Sequence, residues 1–203
     1  INKALEIGSG NYGGYSLYLG AKGIKTVCSN PEGKFVNIKN YHKKYRINNI
    51  SYEKVDVLNM SYSNEFDCIA FKSVMGAVGN QVDRFKNYEI QNRMLSQISK
   101  ALKDEGYLIF ADNLRGSFIH NYINNKFGWG KNKKGWRYFT IQEYINIISN
   151  EFNLINYKTC GVLAYLGKSE KQKKILSKID INILDKVVNE NTNYIIFCIC
   201  KKK

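Results

Sequence analysis

The sequence predicts an α/β fold with a mostly parallel sheet and helices on both faces. Three observations carry this. Short apolar runs alternate with segments of helical spacing along the chain. The first such run ends directly in a glycine-rich turn, Gly8-Ser9-Gly10-Asn11-Tyr12-Gly13-Gly14. The last third closes on a β-rich segment, Tyr194 to Cys200, which commonly ends such sheets as an antiparallel partner.

In order, Ala4 to Ile7 reads as a strand that runs into the glycines, and Tyr15 to Ala21 as the helix behind them. Thr26 to Ser29 is a second strand, stopped by Asn30-Pro31, and Lys34 to Tyr45 is a basic helix. Ile50 to Val57 alternates like a strand, and Cys68 to Phe71 is a buried-strand run. Tyr88 to Leu102 places Ile90, Met94, Leu95, Ile98 and Leu102 at helical spacing. Gly106 breaks the chain before an apolar strand, Tyr107 to Ala111. Thr140 and Glu143 form a capping box that opens a helix through Ile148. A strand over Phe152 to Leu163 and a polar helix over Ser169 to Val188 follow.

With 203 residues, no linker and no internal repeat, residues 1–203 read as one domain. A strand already begins near Lys3, so an upstream N-terminal segment is an expectation. No apolar run approaches the roughly 20 residues of a membrane span, and no signal peptide is visible. Five cysteines without paired spacing read as reduced core residues of a cytoplasmic protein. Cys198 and Cys200 lack the partner pair that zinc needs, so no metal is expected. The net charge of +14 would attract anions. The Lys-, Asn- and Ile-rich composition accounts for it better as a bias of the source than as selection for a polyanion.

The spacing Gly8-x-Gly10-x-x-Gly13 suits a nucleotide-type ligand held close to the backbone, and dinucleotide enzymes share it. Glu6 separates the readings, because a carboxylate there suits a cationic amine and disfavours a pyrophosphate. Asp56, at the end of the third strand, can accept a hydrogen bond from an adenine amino group, with the Val57 backbone beside it. As a plain turn residue, Asp56 would need no ligand.

At these residues the chain resembles class I S-adenosylmethionine-dependent methyltransferases. The resemblance rests on Leu5-Glu6-Ile7-Gly8-Ser9-Gly10, Val55-Asp56-Val57, Phe66-Asp67-Cys68-Ile69 and Leu102 to Phe110, in the family's order over roughly residues 3–113. It implies a Rossmann-like, seven-stranded sheet with an antiparallel last strand, and S-adenosylmethionine as cofactor. The implied cofactor residues are Glu6, Gly8, Ser9, Gly10, Gly13, Asn30, Asp56, Val57 and Lys72. The family usually has an acid where Asn30 stands, and either Asn30 or nearby Glu32 could meet the ribose hydroxyls. The segment 107–166 also resembles, more weakly, small-molecule methyltransferases of bacterial surface-polysaccharide biosynthesis.

In open α/β sheets ligands lie beyond the strands' carboxyl ends, here the segments after Lys72 and Asp112. A hydroxyl acceptor needs a base. His120 is the first candidate and Asp112 the alternative, with Tyr15 a distant third. His42, beside Lys43 and Lys44, reads as solvated. Tyr15, Arg115, Trp136 and Arg137 are candidate acceptor-binding residues, the last two in a basic aromatic stretch from Phe127 to Tyr138. That stretch could be a lid over a sugar or phosphate, or a loop with Trp136 docked on the core. The expected function is methyl transfer to an oxygen of a small, anionic or sugar-like acceptor. An RNA methyltransferase, a nicotinamide oxidoreductase and a non-catalytic cofactor-binding domain are the alternatives. Against RNA, no Pro-Pro tetrapeptide is present; Pro31 is the only proline.

Overall fold

In a computed structural model, residues 1–78, 88–117, 120–122, 126 and 136–203 are described. Seven strands form the sheet: β1 (Lys3–Ile7), β2 (Lys25–Ser29), β3 (Ile50–Glu53), β4 (Phe66–Lys72), β5 (Leu102–Asn113), β6 (Phe152–Cys160) and β7 (Ile195–Lys202). Their order is β3-β2-β1-β4-β5-β7-β6. The pairs from β3 across to β5 are parallel, and β7 runs antiparallel to both β5 and β6. This is the Rossmann-like methyltransferase fold expected from the sequence.

The apolar runs become strands because both of their faces are covered. Ala4 and Leu5 of β1 and Cys68, Ile69 and Phe71 of β4 are fully buried. The longer helices between strands are α1 (Gly14–Ala21), α2 (Val36–Lys43), α3 (Glu89–Ala101), α4 (Ile141–Ile148) and α5 (Glu170–Ile179). Met94, Leu95 and Ile98 of α3 join Tyr144, Ile147 and Ile148 of α4 in the main core. Phe71 and Phe110 stack there, with ring centroids 4.8 Å apart. The capping box at α4 is closed in both directions, Glu143 N–H to Thr140 Oγ1 at 3.2 Å and Thr140 N–H to Glu143 Oε2 at 2.7 Å.

Several boundaries differ from the sequence reading. β3 ends at Glu53, so Val55-Asp56-Val57 is a turn beyond the strand and not its last residues. β5 starts at Leu102, and Gly106 lies inside it at a register shift against β4. β6 stops at Cys160, where Gly161 takes φ +84°. The polar helix 169–188 is α5 followed by a π-helical turn, Asp180–Leu184. Buried Asp180 causes that turn to pack, its carboxylate accepting the Leu163 and Ala164 N–H groups.

Asp67 ties the start of β1 to β4 and β5. Its carboxylate accepts Lys103 Nζ at 2.8 Å and the N–H groups of Asn2 and Lys3 at 2.7 and 2.8 Å. The Lys103 contact is the main reason its acidity is held near pKa 2. An acid depressed in the folded state stabilises the protein above its unfolded value of about 4. Asp67→Asn should therefore destabilise the fold at pH 7, and the gap to wild type should close as pH falls from about 4 towards 2. Urea denaturation across that range checks it; a gap independent of pH would exclude the charge as its cause.

Candidate functional site

The sheet order reverses between β1 and β4, because β1 leads outward to β2 and β4 outward to β5. The chain ends leaving these two strands diverge there and open a crevice. On one side is the glycine turn, and on the other is Ser73, a non-glycine residue at φ +54°. Three cavities meet at Ser73.

The first cavity, of about 400 Å³, lies between the glycine turn and the turns after β2, β3 and β4. Val55, Val57, Val74 and Val78 give it apolar walls, and Asn30, Asp56 and Ser73 give it polar positions. The second, of about 590 Å³, continues along the other side of the glycine turn past Glu6, Ser9, Tyr15 and Lys72. The third, of about 310 Å³, is lined by Ser73, Asn113, Leu114, Trp136, Tyr138, Tyr165 and Tyr194.

The glycine turn is shaped by backbone that other residues adopt reluctantly. Gly8 and Gly10 have φ +66° and +57°. A Cβ on Gly8 would lie 2.8 Å from Val74, whereas one on Gly10 would meet nothing within 4 Å. Gly10 thus borders space left open at the junction of the first two cavities. Gly13 is the N-cap of α1 in left-handed conformation, packed where a Cβ would strike Cys28 and His42. Ser9 is buried, and its N–H reaches the Ser29 carbonyl at 2.9 Å.

Glu6 is 4% exposed, and its two carboxylate oxygens accept the Tyr15 and Ser16 N–H groups at 3.2 and 2.8 Å. The start of α1 thereby offsets part of the cost of burying the charge. Asp56 is exposed at its turn and accepts Leu58 N–H at 3.0 Å and Asn59 Nδ2 at 2.7 Å. It therefore shapes the turn while facing the first cavity. Asn30 lines the same cavity and accepts Glu32 N–H at 2.8 Å. Glu32 lies outside that cavity and pairs with Lys34 at 2.5 Å. Lys72, exposed at the end of β4, and half-buried Tyr15 border the second cavity.

Both candidate bases require correction. His120 is 4% exposed, with Nε2 2.7 Å from the Val162 carbonyl and Nδ1 3.0 Å from Ser117 Oγ. Its ring packs edge-on against Tyr165 and beside Tyr194, so it braces the third cavity from behind. Asp112 is 1% exposed and accepts Met75 and Asn113 N–H groups at 2.9 and 2.7 Å. Burial pushes its pKa up to about 6, against the pull of those bonds. Successive strand residues face opposite sides. Asp112 thus points into the core, and its neighbour Asn113 borders the cavity.

Two proposed acceptor contacts are also corrected. Arg115 pairs with Glu143 at 3.2 Å, and Arg137 stacks over Tyr88 at 4.1 Å and over Phe139 at 5.0 Å. Neither lines the third cavity. Trp136 does, and it is docked as well, directly against Gly76. The remainder of the basic aromatic stretch, including Trp129, Lys131, Lys133 and Lys134, lies outside the described residues.

His42 is not solvated. It is 1% exposed and bonds the Tyr12 carbonyl at 2.8 Å, the Gly13 carbonyl at 3.1 Å and Tyr52 at 3.0 Å. The available signal was its position four residues after buried Ile38, on the same helical face. Tyr165 and Tyr194 carried no comparable signal, since they come together only through β7 and the turn after β6.

Among the described residues, no cluster of His, Cys, Asp or Glu could hold a metal, and no helix is long and apolar enough to cross a membrane. No family model and no curated protein matches the sequence. Solved structures do match in fold. An S-adenosylmethionine-dependent methyltransferase from Methanosarcina mazei is 15% identical with a TM-score of 0.63, covering 99% of this chain and 92% of that one. The N-methyltransferase NodS from Bradyrhizobium japonicum WM9, in complex with S-adenosyl-L-homocysteine, is 14% identical with a TM-score of 0.60, covering 99% and 78%. The [4+2]-cyclase SpnF is 12% identical with a TM-score of 0.64, covering 99% and 74%. The chain thus has the fold of class I methyltransferases, and that fold also hosts a cyclase.

Proposed function

We propose that this protein binds S-adenosylmethionine in the first two cavities and transfers its methyl group to a small molecule in the third. The observation that carries this reading is the meeting of three cavities at Ser73, with the space beside Gly10 left open. The residues present fit the cofactor. Apolar Val55, Val57 and Val74 suit the faces of an adenine, with Asp56 at a polar edge. Asn30 can donate to or accept from a ribose hydroxyl. Glu6, Ser9 and Lys72 border the second cavity, where Glu6 favours an ammonium and Lys72 a carboxylate.

S-adenosylmethionine supplies an activated methyl on a sulfonium, so alignment of the acceptor accounts for much of the rate. This chain's residues provide that alignment. Ser73 stands at the junction, and Asn113 Nδ2 donates to its hydroxyl at 3.3 Å. The acceptor is taken as a small molecule because the third cavity is of about 310 Å³ and has no charged side chain among its described lining residues. An RNA backbone would call for cations there. The sequence-based expectation of an oxygen acceptor looked first to His120 or Asp112 as base, and both are buried away from the cavity; Tyr15, the third candidate, borders the second cavity instead.

Calorimetry with S-adenosylhomocysteine and with NAD tests the reading. The expected result is binding of S-adenosylhomocysteine at about micromolar strength, roughly 8 kcal/mol, with NAD far weaker. Tighter binding of NAD would overturn it.

A further inference from the structure

The third cavity has an unusual lining. Tyr165 and Tyr194 form a corner, with ring centroids 5.4 Å apart and planes 53° apart, and Trp136 and Tyr138 complete the aromatic set. The other described lining residues are Ser73, Asn113 and Leu114. None of the described lining residues is a carboxylate or an imidazole, and burial raises the pKa of the Tyr165 and Tyr194 phenols, the latter to about 12, which disfavours them as bases. By sequence, the segments 79–87, 118–119, 123–125 and 127–135 contain no histidine and a single acid, Asp83.

A hydroxyl that attacks a methyl sulfonium must lose its proton during or before attack, and this calls for a base. A pyridine-type nitrogen attacks through its lone pair and has no proton to lose. We propose that the methyl acceptor is such a nitrogen, carried by an uncharged heteroaromatic small molecule that stacks in the aromatic cavity. This rests on the methyltransferase reading above. In the step, the nitrogen lone pair becomes the N–CH3 bond and the C–S bonding pair goes to sulfur. The positive charge moves from sulfur to the ring nitrogen, and no proton moves. The negative faces of the aromatic side chains attract that charge as it arrives in the cavity. The interaction is stronger after transfer than before it, which is the condition for accelerating the step.

The test uses the full chain saturated with S-adenosylhomocysteine and two probes of the same shape, 1-methylquinolinium and uncharged 1-methylnaphthalene. Calorimetry should show the cation binding roughly tenfold more tightly, the fold-change that a partly desolvated cation–π contact gives. Tyr165→Leu should erase most of that preference, and Tyr165→Phe, which keeps the π face, should retain it. If the leucine variant fails to fold, the probe pair on wild type decides alone. With S-adenosylmethionine, mass spectrometry should find methyl added to quinoline and not to 2-naphthol. Equal affinity for the two probes, or methylation of 2-naphthol with quinoline untouched, would overturn the proposal. Failure to bind S-adenosylhomocysteine would instead overturn the methyltransferase reading.

Discussion

Gly10→Asn should lower the affinity for S-adenosylhomocysteine on the order of 100-fold, about 3 kcal/mol, while leaving the fold nearly as stable as wild type. Gly10 has φ +57°, and asparagine tolerates that left-handed conformation better than most residues. A Cβ there meets nothing within 4 Å, so no core contact resists the substitution. The new side chain would instead take up the open space at the junction of the first two cavities. Gly8 offers a poorer test, because its Cβ would press on Val74 at 2.8 Å and confound binding with packing. Calorimetry and a thermal melt together check the result. A folded Gly10→Asn protein with unchanged affinity would place the cofactor elsewhere.

The second large effect is expected at Gly76. Its N-terminal neighbour Met75 is fully buried and donates its N–H to Asp112, which fixes the turn in place. Gly76 accepts the Arg137 N–H through its carbonyl at 2.9 Å. A Cβ would collide with the Trp136 indole and with the Arg137 carbonyl. Gly76→Ala should therefore cost about 1–3 kcal/mol, the range for overpacking. For a chain of this size that is roughly 2–12 °C in melting temperature. The third cavity should suffer more, since Trp136 is one of its walls. Adding Trp136→Ala should restore only part of the stability, because the clash with the Arg137 backbone persists. Wild-type stability in Gly76→Ala would show that the 136–138 segment is not held against Gly76.

The two substitutions probe different halves of the site, and the sequence foretold them unequally. Gly10 stood in a motif, since spaced glycines after an apolar strand have few other uses. Gly76 was one small residue in the turn after β4, with nothing to mark it as the seat of an indole far along the chain. The acceptor side failed in the same way. Sequence reasoning ranks residues by chemistry, so it chose His120, Asp112, Arg115 and Arg137. Burial commits His120 and Asp112 to holding the fold, and local partners engage the half-buried arginines. His120 is bound to Val162 and Ser117, and Asp112 to two backbone N–H groups. Arg115 is paired with Glu143, and Arg137 lies over two aromatic rings.

The strands and helices, the capping box at Thr140 and the glycine turn beside Glu6 were legible in the sequence. These are local features: apolar period, turn chemistry and capping are written within a few consecutive residues. Which side chains meet beyond the sheet depends on packing. Asn113 faces the third cavity and Asp112 does not, because one step along a strand reverses the side. Tyr165 and Tyr194 become neighbours because Asp180 holds the turn after β6 while β7 returns beside it. Contacts between residues so far apart in the chain depend on how every intervening element packs, and no short window of sequence contains them.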